Sequence, residues 1–356
     1  MSAPLCQGQG GPHVVALGGG HGLAVTLSAV SRYAGRVTAI VSAADDGGSS
    51  GRLRADWPGP APGDVRRCLL ELAGTRPAER AWAKALDFRF PGGDVAGHSL
   101  GNLVLVGLSE TMGDFVAATA EVGRLLGVTA TVLPAASVGV DLCAEIEGVD
   151  GPRELVGQVK VAHTPAPIRR VWLDPGNPAA PHQALEAIAG ADQVVLGPGS
   201  LFTSVLAVCA VPAILEALNK RQGGRVYVCN LATQDSETTG FDADAHLSAL
   251  VAHHVTVDTV VCDPSTEVGA PPAPPASPAP PATPATLASP ARPATAVPDA
   301  RGATVVTAAV ASPNGHSHDP ALLSEVLSAL VAATAATTAA TPATAAAAGT
   351  SQPPSH

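Results

Sequence analysis

The chain has 356 residues, a formal net charge of −10 and only three lysines, Lys84, Lys160 and Lys220. That balance excludes a polyanion-binding surface, and so nucleic acid as a partner, because neutralising a phosphate backbone needs clustered cations. With no apolar run of ~18 residues and no basic-then-apolar leader, the expectation is a cytoplasmic protein without membrane contact, built as one large α/β unit with insertions.

After a polar leader (1–12), an apolar run at 13–17 reads as a first strand, and 23–33 reads as a helix. Residues 37–43 are almost continuously apolar, as expected of a parallel strand covered on both faces. The stretch 45–54 reads as a loop at that strand's carboxyl end. A Pro- and Gly-rich loop follows, with Asp64 placed to cap a helix. Further helices are expected near 80–86, 103–112 and 114–126.

Between 129 and 174 the period changes to alternation, with strand-like runs at 131–133, 141–147, 155–162 and 170–173. These predict a half-exposed antiparallel excursion. The α/β rhythm then returns: helix 182–189, strand 193–196, a glycine loop at 197–200, helices 201–209 and 213–220, strand 225–230, helix 242–253 and strand 257–262. The fold class expected is therefore α/β, a mostly parallel sheet with helices on both faces and an antiparallel excursion in the middle of the chain.

Residues 270–298 are nearly all Pro, Ala, Ser and Thr, a composition that buries little and reads as an extended solvated insert unable to form a ladder. A strand at 303–309 and a helix at 321–332 follow. The division expected is a flexible leader (1–12), a nucleotide-binding core (13–264), a disordered insert (265–300), a returning strand and helix (301–333) and a disordered tail (334–356). The six cysteines are scattered without a Cys-x-x-Cys pair and read as buried free thiols.

Three small-residue loops carry the chemistry. Gly18-Gly19-Gly20-His21-Gly22 empties an apolar strand into a helix, an arrangement that lets backbone N–H groups approach an anion closely. The third glycine of the dinucleotide fingerprint is missing, since Leu23 stands there, which weakens NAD or FAD as ligand. A turn that merely joins strand to helix is the plain alternative. The second loop offers Asp45, Asp46, Ser49, Ser50 and Arg52, the carboxylates for ribose hydroxyls or a divalent cation and the others for phosphate or sugar. The third offers Gly197, Gly199 and Ser200.

Gly97-His98-Ser99-Leu100-Gly101 matches the nucleophile elbow of serine hydrolases. The elbow needs an apolar strand before it, and 91–96 is broken by Pro and Gly. His98, Ser99 and Asn102 read instead as hydrogen-bond donors at a helix start facing a ligand. His21 reads as a polar side chain over phosphate rather than a general base. The histidines at 253–254 and 316–318 have no further ligands at metal-binding spacing, so no catalytic or metal residue is assigned.

Five blocks together resemble the YvcK-like gluconeogenesis-factor family, relatives of the CofD-like 2-phospho-L-lactate transferases. They are residues 18–23, 44–54, 62–66, 97–103 and 197–204, with weaker matches at 228–231, Thr233, Gln234, Glu237 and Thr238. The resemblance implies a Rossmann-like fold and a cytoplasmic binder of UDP-sugars such as UDP-N-acetylglucosamine. It further implies support of cell shape and peptidoglycan synthesis during gluconeogenic growth. Gly18 to Gly22 would hold the diphosphate, while Asp45, Asp46, Ser49, Ser50, Asn102, Ser200 and Asn230 would line the nucleotide site. His21 stands where many relatives have threonine, and the insert replaces chain that is usually folded. The alternative is a CofD-type phospholactyl transferase using an activated nucleotide and Mg²⁺, with Asp45 and Asp46 as metal ligands. Protein partners in cell-wall synthesis and a homo-oligomer are open expectations, and no resident cofactor is assigned beyond the UDP-sugar ligand.

Overall fold

The structure is a computed structural model that describes residues 10–231, 237–266, 295–298 and 302–340; Cys6, Thr233, Gln234, most of the Pro/Ala-rich insert and the end of the tail lie outside them. Eight strands form the main sheet: β1 (His13–Gly18), β2 (Arg36–Val41), β3 (Thr131–Pro134), β7 (Gln193–Leu196), β8 (Arg225–Val228), β9 (Thr259–Cys262), β10 (Thr295–Pro298) and β11 (Thr304–Thr307). Their order is β10-β11-β9-β8-β7-β1-β2-β3, and every pair is parallel except β10 with β11. β1 lies between β2 and β7, so the strand order reverses there. In an open α/β sheet that switch point opens a crevice at the carboxyl ends of the strands.

The near-continuous apolar strands are covered on both faces. Val14 and Ala16 face one layer with Leu23 and Leu27 of α1 (Gly20–Val30), Leu69 of α3 (Pro62–Glu71), Leu105 of α5 (Leu100–Met112), Val122 of α6 (Phe115–Leu125) and Leu327 of α12 (Pro320–Ala340). Val15 and Leu17 face the other layer. There they meet Ile188 of α8 (His182–Ala189), a π-helical turn (Leu201–Val205) running into α9 (Leu206–Cys209), Ile214 of α10 (Pro212–Asn219) and Leu250 of α11 (Ala243–Ala252). A second sheet, β5-β4-β6, is antiparallel and packs on this layer through Ile146, Val171 and Leu173; it comprises β4 (Asp141–Gly148), β5 (Gly151–Val156) and β6 (Ile168–Asp174). Five of the six cysteines are free and buried, as expected from their apolar surroundings. No single described helix is long and apolar enough to cross a membrane, although the bent pair Leu201–Cys209 and Pro212–Asn219 meets that test jointly.

Five expectations need correction. The run 131–133 is no part of the antiparallel excursion: β3 pairs parallel with β2 in the main sheet, with Val132, Leu133 and Pro134 buried. The stretch 45–54 is not all loop, because α2 (Gly48–Arg54) forms there despite its low-propensity Gly and Ser residues. The strand expected over 155–162 stops at Val156. Gly157 takes a left-handed φ of 111°, and α7 (Gln158–Ala162) begins with the Val159 N–H donating to Asp46 Oδ1 at 2.8 Å. The insert does form a ladder at its end, where Thr295–Pro298 pairs with β11. The tail is helical through Ala340, because alanine, the strongest helix former, extends α12.

Candidate functional site

The loops after β1 and β7 meet at the switch point. Gly22 lies so close to Pro198 O and to Gly199 Cα that a Cβ there would collide with loop backbone, and Thr26 Oγ1 donates to Gly197 O at 2.6 Å. Asn230, just past β8, locks the third loop reciprocally. Gly199 N–H donates to its Oδ1, and its Nδ2 donates to Gly199 O, both at 2.9 Å. Gly18 ends β1 with a φ of +154°, and Gly19 sits at the N-cap of α1, where a Cβ would stand 2.6 Å from Asp64 Oδ2 and 3.3 Å from Ser204 Oγ, so Gly19 has no room for a side chain. Gly20 differs. Its φ is +59°, and a Cβ there would have only Arg67 Nη1 nearby, at 3.9 Å, so it faces open space.

That space is a cavity of about 560 Å³ lined by Gly20, Asp45, Asp64, Arg67, Gln158, His163, Ser200, Thr203, Ser204 and Glu237. Its wall is acidic. Asp64 is not the helix cap expected from sequence; α3 starts at Pro62, and Asp64 turns back to accept from Arg67 Nη1 at 2.6 Å and from the Gly20 N–H. Burial, and then the Asp45 charge, push the Asp64 carboxyl up to about 6, against the opposing pull of Arg67 and Gly20. Glu237 accepts from Phe202 N–H (2.9 Å) and Thr203 N–H (2.7 Å) and from Ser200 Oγ, so it caps the π turn, and burial raises its pKa. A buried carboxylate with these partners fixes the third loop as firmly as Asn230 does.

Beside it, sharing Asp45 and Arg67, lies a cavity of about 270 Å³ whose wall also includes Gly47, Gly48, Ser49, Ser50, Gly63, Arg66, Arg89 and Asn102. This wall is cationic. Ser49 Oγ is held by Asn102 Nδ2 at 3.1 Å and by His98 Nδ1 at 3.0 Å, a serine–histidine contact that no local spacing announced. Burial and the nearby Arg52 guanidinium lower the His98 pKa. Arg66 is 3% exposed and is fixed by Asn102 Oδ1 at 3.1 Å and by Asp87.

On the far side of α1, His21, Gly22, Val25, Pro198, Gly199, Asn230, Leu231 and residues 316–318 line a third cavity of about 310 Å³. His21 therefore lines this cavity and not the acidic one, and His318, whose Nε2 donates to Cys229 O at 3.0 Å, has its pKa lowered to about 4 by burial. Among the assigned residues, Gly20, Asp45, Ser49, Ser50, Asn102 and Ser200 come together, whereas His21, Gly199 and Asn230 face this third cavity. Asp46 is engaged with α7. Ser99 is buried as the N-cap of α5, accepting from Asn102 N–H at 3.3 Å, which leaves it no nucleophile's exposure. Arg52 packs near Gly97 and His98.

Sequence reading named Arg67 only as a nearby cation and did not assign Gln158, His163, Thr203, Ser204 or Glu237 as cavity residues. Thr203 and Ser204 carried a signal as part of the family block 197–204, and Glu237 carried one as a weaker match. A still larger cavity, about 920 Å³, opens at the opposite end of the sheet among Tyr33, Asp192, Arg221 and α12. It lies at the amino ends of the strands, away from the switch-point crevice, so position and not size selects the site.

The family model for the 2-phospho-L-lactate transferase CofD matches residues 14–270. A putative gluconeogenesis factor of Mycobacterium leprae is 48% identical over 259 residues, 71% of this chain and 72% of that one. The gluconeogenesis factor of Bacillus subtilis is 40% identical over 243 residues, 68% of this chain and 75% of its own. A crystal structure of a UPF0052 family protein from Bacillus halodurans superimposes with a TM-score of 0.74 and 32% identity, over 90% of this chain and 99% of that one. With three glycine and serine loops at the carboxyl edge of a doubly wound sheet, and with these matches, the chain belongs to the CofD-like family, among the gluconeogenesis factors.

Proposed function

We propose that the cleft binds a UDP-sugar, UDP-N-acetylglucosamine being the representative, and that the protein acts as a non-catalytic regulator supporting cell shape and cell-wall synthesis during gluconeogenic growth. The observation that carries this reading is Gly20, whose open side points into a 560 Å³ cavity at the switch point. A volume in that range suits a small-molecule ligand of nucleotide size, and hydroxyls of Ser200, Thr203 and Ser204 supply uncharged partners for a sugar. Titration calorimetry with UDP-N-acetylglucosamine tests it. Saturable heat supports the reading, and no heat or competition at millimolar ligand ends it.

Phospholactyl transfer from an activated nucleotide is the second reading, favoured by Asp45, Asp64 and Glu237 lining one cavity. Among the described residues, however, no group of three or more His, Cys, Asp or Glu side chains is spaced to hold a metal ion. Asp64 and Glu237 are already engaged with donors, so this donor set does not fit Mg²⁺ and no step is routed through it. Incubation with Mg²⁺, a deazaflavin acceptor and the activated guanylyl donor tests transfer directly; absence of product removes this reading.

A further inference from the structure

The two adjoining cavities differ in the sign of their walls, and the smaller one has the makings of a site of its own. Arg66 and Arg67 reach it from α3, and Arg89 reaches it from the loop between α4 (Pro77–Asp87) and α5. Arg66 is almost wholly buried, and its planar fork is held by Asn102 Oδ1 and Asp87, so it meets a ligand pre-organised. Arg67 is balanced by Asp64. Arg89 is not balanced in this way: among the described residues it has no carboxylate within 4.0 Å, and its Nη1 donates only to Gly97 O at 3.1 Å. Asp45 is the one carboxylate on this wall, whereas the neighbouring cavity has Asp45, Asp64 and Glu237. Ser49 Oγ, gripped by Asn102 and His98, adds an oriented neutral partner. At about 270 Å³ the space is too small for a nucleotide but suits one charged group and its neighbours.

We propose that this cavity is an oxyanion subsite, in which Arg66, Arg89 and Ser49 hold a phosphoryl or carboxylate group beside the nucleotide-sugar cleft. The anion belongs either to the cleft ligand itself or to a second small molecule. Guanidinium forks match either oxyanion with paired hydrogen bonds, which lysine's point charge does not. The inference deepens the nucleotide-sugar reading, and only its second experimental arm rests on that reading.

The first arm uses inorganic phosphate on the full chain, against sodium chloride at matched ionic strength, with calorimetric and thermal-midpoint readouts. Wild type is expected to bind phosphate saturably. Arg89→Ala is expected to weaken apparent affinity about ten-fold or more while leaving the phosphate-free midpoint unchanged, because Arg89 is exposed and unpaired with any described carboxylate. Arg89→Lys is expected to recover only part of the loss. No saturable binding by wild type, or equal binding by Arg89→Ala, overturns the proposal. The second arm adds UDP-N-acetylglucosamine: competition with phosphate assigns the subsite to an anionic group of the cleft ligand, and simultaneous binding assigns it to a separate anion. Failure of the nucleotide-sugar alone to bind removes the earlier reading and leaves the phosphate arm standing.

Discussion

The acidic and cationic cavities share a wall at Asp45 and Arg67 yet are built from different materials. The acidic one hangs on the strand order: its glycine and serine loops come from β1 and β7, neighbours in the sheet but about 180 residues apart in the chain. The cationic one is assembled from residues around the start of α2, the first turns of α3, Arg89 in the loop before α5 and Asn102 in the first turn of α5, all within residues 45–102. The contrast teaches that sheet topology makes a ligand-sized cleft, while charge selection is added by side chains from the helical layer. Carboxylates on one side and guanidiniums on the other impose an orientation on any ligand that spans both.

Substitution at Gly20 breaks the acidic half most completely. Gly20→Val places branched carbons in the cavity from a residue already at φ +59°, so nucleotide-sugar affinity is expected to fall at least about 100-fold by calorimetry. The fold survives with a strain cost of about 1–2 kcal/mol. A midpoint collapse without a binding-competent fraction would show that the glycine serves only the chain path.

Asp64 sharpens the contrast through pH. Its folded-state pKa, about 6, lies above the ordinary carboxylate value, so the native state binds a proton more readily than the unfolded chain. The stabilisation is therefore full below about pH 4 and is lost as pH rises through about 6, a loss approaching 3 kcal/mol at most. Asp64→Asn is expected to remove that slope, becoming relatively more stable than wild type between pH 5 and 8 in denaturant titrations. Parallel curves for the two proteins would remove the buried charge from the account.

Ser99→Ala probes the support beneath the cationic half. Loss of the α5 N-cap is expected to cost about 1 kcal/mol in chemical denaturation. A fluorophosphonate probe is expected to leave the folded wild type unlabelled, since Ser99 is fully buried; labelling at Ser99 would restore the hydrolase reading. The smallest stability effect is expected at Arg89→Ala, within about 0.5 kcal/mol of wild type, because the side chain is exposed.

Much of the framework was legible in the chain. Nearly continuous apolar runs at 13–17 and 37–43 announce buried parallel strands, and the glycines after the first mark the turn into its helix. Period misled where it was short. Val159 and Val161 alternate as a strand does, but Gly157 and the Asp46 carboxylate, 113 residues from its partner Val159, turn that run into α7. The Ser49–His98 and Glu237–Phe202 contacts were equally invisible, because each joins residues more than thirty positions apart.

By itself the sequence determined most strands of the parallel sheet, the glycine loops and the residue types that gather at them, since these follow from local burial patterns and backbone freedom. Only the tertiary structure decided that Gly22 serves loop packing while Gly20 faces the cavity, that Asp64 is drawn to Arg67 and the α1 terminus instead of capping α3, and that Arg66 and Arg89 converge. The physical reason is that a side chain's role is set by which distant backbone it meets, and the order β7-β1-β2 is a property of the whole sheet.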